Sequence, residues 1–308
     1  MQPITVITLI ISMAACLMTY IFKKVYANRS RGGMTGVYAF SAIGCIVSAV
    51  VLLLWGGYGE ASLYTVLLGA LFGIVVSLQA IFTTVAMMSG PMAYTMVIVS
   101  CSTVFTALSG FFFFDERIGV LQLAGIALMV GSFVFATEKK EGEKKGGFKW
   151  LLFSILSFCC SGGIGFMQKL HQTSAHASEL NAFLIMSFIV SFDFSMIMAF
   201  VYGVKEKKSI VEKKEKGGIN WVILAIMVVS GICVAANHKL NLALAGEIPT
   251  AVFFPIVNGG NLVLTTLSAL FIFKEKLTVK QWVGVGLGIA SVLFLCMPTE
   301  WIFSFALK

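Results

Sequence analysis

Charge is what this chain has least of. Of 308 residues only 12% are Asp, Glu, Lys or Arg, against 58% hydrophobic, and mean hydropathy is +0.95. That balance excludes a soluble globular domain, in which about 25% of residues are charged. Acidic residues are scarcer still. None occurs in the first apolar run or in the run that opens the second half, and Asp193 alone lies near the middle of a run. Metal-ligand spacing such as H-E-x-x-H, a phosphate-cradling glycine loop and a convincing nucleophile–base pair are all missing. An intramembrane enzyme, a metal centre and a bound cofactor are therefore not expected. The net charge of +8 does not point to nucleic acid, because Lys and Arg sit mainly between apolar runs and form no aromatic-basic platform. The seven cysteines lie in or at the ends of apolar runs and read as small packing residues, not a disulfide framework. The first run lacks a basic leader and reads as a retained helix.

What the chain does have is apolar runs of about 20 residues from end to end, enough to cross a hydrocarbon core of about 30 Å. Backbone groups there must be satisfied internally, and continuous runs containing Gly, Ala and Ser favour helices over a barrel. Ten spans are predicted, at roughly 4–23, 35–55, 62–88, 92–114 and 119–137, then roughly 149–168, 180–203, 220–244, 250–273 and 279–297. The fold class is thus an all-α polytopic membrane protein whose partner is the lipid bilayer. A first repeat (1–137) and a second (149–308) are joined by a charged linker (138–148).

The division rests on a repeat. FFFFDERIGVLQLAGIALMVGSFVF from Phe111 aligns without a gap on LFIFKEKLTVKQWVGVGLGIASVLF from Leu270, pairing Glu116 with Glu275, Gly125 with Gly284 and Ser132 with Ser291. More weakly, Ile10, Ser12 and Lys24 line up with Ile155, Ser157 and Lys169. An odd number of spans per repeat sends the second copy in from the opposite face, so the two five-helix halves are inverted, as transporters often are. Lys and Arg cluster after span one, in the linker, in the loop from Lys205 and before span ten. That bias puts these segments in the cytoplasm of a plasma-membrane protein and both termini outside.

The doubled corner, FFDERIGVLQLAG at Phe113 and FKEKLTVKQWVG at Phe273, resembles the signature of EamA-type proteins of the drug/metabolite transporter superfamily. Pro91 and Pro249, each opening its repeat's fourth helix, fit the same pattern. The resemblance covers nearly the whole chain and implies a ten-helix transporter, for amino acids, other metabolites, drugs or nucleotide-linked sugars. Characterised ten-helix members usually have cytoplasmic termini, the reverse of the lysine distribution here. Small multidrug-resistance relatives use a glutamate in their first helix for proton coupling, and this chain has no counterpart.

Candidate site residues follow from polar groups inside the spans. Asn258 and Asn261 share one face of span nine near its midpoint, just past Pro255, which favours a kink. Two amides there need a partner helix, a wet cavity or a substrate. Asn237 and Asn241 lie one turn apart in span eight. Lys239 between them points elsewhere, either to neutralise a substrate carboxylate or phosphate or to snorkel to the interface. Gln79, with Thr83 one turn on, gives the matching helix of the first half its own polar face. These six (Asn258, Asn261, Asn237, Asn241, Gln79 and Lys239) are the expected substrate-binding residues.

Asp193 and His238 are the candidates for coupling to a proton or cation, each with a structural role as its alternative. Ser100, Ser102 and Thr103 are expected to pack, and Glu116 and Glu275 to cap corners. The glycines of spans five and ten suit helix packing or a homodimer seam. Trp55, Trp150, Trp221, Trp282 and Trp301 are expected as interfacial anchors. The functional expectation is a secondary transporter of a small organic solute, working by alternating access. The alternative is a non-transporting interaction or sensor protein on the same scaffold.

Overall fold

A computed structural model describes residues 3–29, 33–102, 105–106, 113, 120–136, 147–210, 221–247, 250–274 and 278–296. Among these residues the fold is helical and contains no strand. In chain order the helices are α1 (Pro3–Arg29), α2 (Gly33–Gly56), α3 (Leu63–Ser89), α4 (Met92–Ser100), α5 (Val120–Ala136) and α6 (Phe148–Gln172). A 3-10 turn (Ala177–Glu179) then precedes α7 (Leu180–Ile210), α8 (Trp221–Glu247), α9 (Thr250–Phe271) and α10 (Val279–Cys296).

Among the described residues six stretches are long and apolar enough to cross a membrane: Ile4–Asn28, Gly33–Gly56, Leu63–Ser89, Phe148–Gln172, Ala177–Val204 and Trp221–Ala245. Gly260–Phe271 and Trp282–Ser291 are shorter apolar helices. Large apolar side chains such as Ile4, Leu54, Phe200 and Phe271 point outward, as they do where the surrounding solvent is lipid.

The helices pack in pairs that exchange under the repeat register. α1 packs on α8 as α6 packs on α3, while α2 packs on α7, α4 on α9 and α5 on α10. Lipid gives apolar side chains no drive to associate, so close approach and hydrogen bonds hold such pairs together. In the α5–α10 pair the bonds are reciprocal. Ser132 Oγ donates to the carbonyl of Gly284 (2.8 Å), and Ser291 Oγ donates to that of Gly125 (2.7 Å). The weaker alignment behaves the same way: Ser12 Oγ donates to Asn241 Oδ1 (2.7 Å), and the aligned Ser157 Oγ lies 2.6 Å from Thr83 Oγ1. Between α3 and α7, Ser191 Oγ donates to the carbonyl of Gly73 (2.6 Å) and Ser77 Oγ to that of Ser191 (3.1 Å). A Cβ on Gly73 would run into the carbonyl of Ser187, so only glycine lets these two backbones meet.

Two expectations change here. Lys23 and Lys24 do not sit in a loop after span one, because α1 runs on to Arg29 and both side chains are buried. The Lys24 ammonium donates to the carbonyls of Met87 (3.2 Å) and Gly90 (3.3 Å). It meets the C-terminal end of α3, where exposed carbonyls and the helix dipole favour a cation. Trp150 is not an interfacial anchor either. Its indole N–H donates to Thr95 Oγ1 (3.0 Å), and the ring is buried against Tyr94, whereas Trp55, Trp221 and Trp282 are exposed. The linker 138–148, Thr103, Glu116, Pro249, Glu275 and Trp301 lie largely or wholly outside the described residues.

Candidate functional site

Two adjoining cavities lie among the helices. The first, about 120 Å³, is lined by α1, α3, α4, α6, α8 and α9. Gln79, Asn237, Asn241, Asn258 and Asn261 all reach it, so five of the six predicted binding residues converge on one space. His238 lines it as well, along with Ser100, Ser102, Ser161, Gln168 and Thr265. The second cavity, about 90 Å³, shares Cys16, Tyr20, Gln79, Asn237 and His238 with the first. It extends toward α2 and α7, past Thr19, Ser41, Thr84 and Ser230, and holds Lys23.

The side chains around the space differ in how they are held. Asn237 Nδ2 donates to the carbonyl of Ser12 (3.1 Å) and to its hydroxyl (3.3 Å), so α1 fixes this amide and Asn241 together. Asn261 is 7% exposed, and its Oδ1 has no hydrogen-bond partner among the described residues. A buried amide oxygen left open in this way costs about 1–3 kcal/mol unless water or a ligand meets it. His238 Nδ1 is likewise without a partner there, and its ring stands edge-on to Phe72 and Phe188.

Lys23 is 7% exposed, with its ammonium 5.5 Å from the centroid of the Tyr20 ring. Among the described residues no Asp or Glu lines either cavity. Among the described residues, the first cavity is therefore rich in amides and hydroxyls, and the second is more apolar and carries the Lys23 ammonium, with no carboxylate in either. An ammonium buried without a counter-charge is costly, which suits an anionic guest and disfavours a cationic one.

Lys239 lies apart from both cavities. Its Nζ sits 4.7 Å from the centroid of the Trp55 ring at the far end of α2, which is the snorkelling alternative. Asp193 is exposed on the outer surface of α7 and lines neither cavity. The structure does not bring it together with His238. Asp193→Asn is accordingly expected to retain solute flux and its dependence on an imposed proton gradient in proteoliposomes. Loss of the gradient dependence would return Asp193 to the mechanism.

Sequence reasoning missed Lys23, Tyr20, Cys16, Ser161 and Gln168, and it treated Ser100 and Ser102 as packing. The repeat carried a signal for them. The register that pairs Ser12 with Ser157 and Lys24 with Lys169 also sets Cys16 opposite Ser161, Tyr20 opposite Gly165 and Lys23 opposite Gln168. All six line one cavity or the other.

A helical bundle with several helices long and apolar enough to cross a membrane, around a cavity lined by amides and hydroxyls, suits a membrane transporter. Comparison with known proteins agrees. Residues 15–295 match the Triose-phosphate Transporter family. The chain belongs to that family, within the drug/metabolite transporter superfamily that its doubled corner resembles. It is also 31% identical over 84 residues to the probable 4-amino-4-deoxy-L-arabinose-phosphoundecaprenol flippase subunit ArnE of Hamiltonella defensa subsp. Acyrthosiphon pisum (strain 5AT). That match covers 27% of this chain and 70% of the relative. A solved crystal structure is similar over 98% of both chains with a TM-score of 0.59 at 12% identity, a likeness of fold alone.

Proposed function

We propose that this transporter carries a small organic anion across the cytoplasmic membrane, by alternating access around the cavity between two inverted five-helix repeats. One observation carries the choice of cargo: Lys23 is buried in the smaller cavity, beside Gln79 and Asn237 and among apolar side chains, and no described residue there is a carboxylate. The inverted arrangement is supported by helix pairs that exchange under the repeat register and by the reciprocal Ser132–Gly284 and Ser291–Gly125 bonds. Equivalent positions from both halves face the same space, as expected of a substrate site between repeats. The family's name and that of the flippase relative both refer to phosphate-bearing cargo, which agrees with an anion. The lysine bias around the linker supports external termini. A sensor or interaction role on the same scaffold would leave the open Asn261 oxygen and the uncompensated Lys23 without a purpose.

The test is a stabilisation screen on purified protein with inorganic phosphate, sugar phosphates, small carboxylates, neutral sugars and primary amines. A ligand at 100 times its Kd adds about 2.7 kcal/mol, a shift of several degrees for a chain of this size. One or more anions are expected to give it. Stabilisation by amines alone would reject the anion assignment.

A further inference from the structure

On the face where α2 ends and α3 and α7 begin, the carboxylate of Glu179 bridges the start of α3 and the turn before α7. Glu179, in the 3-10 turn before α7, accepts through Oε2 from the backbone N–H and the hydroxyl of Ser62, both at 2.8 Å. Ser62 is the N-cap of α3, and its Oγ also accepts from the N–H of Thr65 (3.3 Å). The negative charge therefore rests against the positive end of α3, where an anion is favoured. The other oxygen, Oε1, lies 3.0 Å from His176 Nδ1, and the His176 ring stacks on Tyr64. A vestibule of about 380 Å³ lies beside this contact, lined by Tyr58, Glu60, Glu179 and Asn181.

Between the latch and the cavity runs a ladder of rings. His171 of α6 stacks on Phe183 of α7 (4.4 Å), which meets Phe72 of α3 (4.9 Å), which meets His238 of α8 (6.0 Å). The first three are fully buried, and His238 is already in the cavity wall. The ladder thus runs from Phe183, the residue after Ala182 in the vestibule lining, to His238 in the cavity wall. One rung sits poorly in an apolar stack: neither ring nitrogen of His171 has a hydrogen-bond partner among the described residues. Parting α3 from α7 would hydrate both nitrogens, which lowers the cost of opening at this place.

We propose that Glu179 is the latch of a gate on this face, holding α3 against the start of α7 so that the aromatic ladder seals the cavity. It rests on the transporter reading, since only a protein that alternates between faces needs such a gate. Breaking the contact with Ser62 shifts the population toward a state open on the vestibule side. The latch differs from the substrate contacts in that it touches neither cavity.

The experiment uses the full chain with Cys16 as its sole cysteine, the other six replaced by serine. Cys16 lines both cavities, so its modification by a charged, membrane-impermeant methanethiosulfonate reports access. The vestibule face is defined as the side from which Tyr58→Cys, in a cysteine-free chain, is labelled. Glu179→Ala is expected to speed labelling of Cys16 from that side at least tenfold and to leave the opposite side unchanged. Glu179→Gln keeps an acceptor for Ser62 and is expected to give a two- to fourfold rise. Parental rates in both variants overturn the latch. If the alanine variant aggregates on size exclusion, a parental rate in the glutamine variant alone overturns it. The readout needs no substrate. A gated protein that carries no anion passes it, and an anion carrier gated elsewhere fails it.

Discussion

Lys23→Gln is expected to lower flux of the stabilising anion in proteoliposomes by about 10- to 100-fold without lowering the melting temperature of the unliganded protein. A hydrogen bond to a charged group contributes about 1.5–3 kcal/mol, and each 1.4 kcal/mol is tenfold. The stability half of the prediction separates this role from a structural one. A lysine that held helices together would take stability with it when replaced. Lys23 instead meets a ring face and, among the described residues, no carboxylate in the cavity walls. Removing its charge relieves desolvation rather than breaking a pair. Lys24 is the internal control. Its ammonium donates to two carbonyls at the end of α3, so Lys24→Gln should cost stability while leaving anion selectivity in place. Unchanged flux in Lys23→Gln, with Lys24→Gln impaired, would mean that the cargo does not meet this ammonium.

The two adjacent lysines also mark where sequence reading reaches its limit. Both look like loop cations from sequence, because positive charge next to an apolar run is the usual signal for a helix end. Nothing local announces that α1 continues six residues past Lys23, to Arg29. What keeps them inside is tertiary: the carbonyl-rich end of α3 for one, and for the other the Tyr20 ring and the smaller cavity.

The amides are the opposite case. A side-chain amide in mid-span has so few acceptable environments that Gln79, Asn237, Asn241, Asn258 and Asn261 could be assigned to one cavity from sequence alone, and they do meet there. Lys239 had a second acceptable environment, at a helix end beside an aromatic ring, and is found there, whereas Asp193 meets neither expectation, being exposed on α7 instead of lining the cavity or facing another helix. Serines were hardest to place, since they satisfy themselves on their own helix. Ser100 and Ser102 line the cavity while Ser132 and Ser291 tie α5 to α10. The register of the doubled corner, extended back, sets Ser102 opposite Asn261 but Ser132 opposite Ser291.

The second large effect belongs to the amides and takes the form of a contrast. Asn261→Ala and Asn237→Ala are both expected to reduce flux of the anion by tenfold or more, and to move stability in opposite directions. Asn261 presents a buried oxygen with no partner among the described residues. Removing it deletes an unsatisfied acceptor, so the unliganded protein should melt at the same temperature or higher while losing ligand-induced stabilisation. Asn237 ties α8 to α1 through two bonds to Ser12, whose hydroxyl also serves Asn241. Its loss removes net bonding of about 1 kcal/mol per bond and should lower the melting temperature even without ligand. Because Ser12 lies on α1 opposite the amide pair, Ser12→Ala should reproduce the loss of stability with a smaller loss of flux. If Asn261→Ala instead destabilises the empty protein and leaves flux intact, the oxygen has a structural partner, and the cavity wall facing α9 is not where the cargo is held.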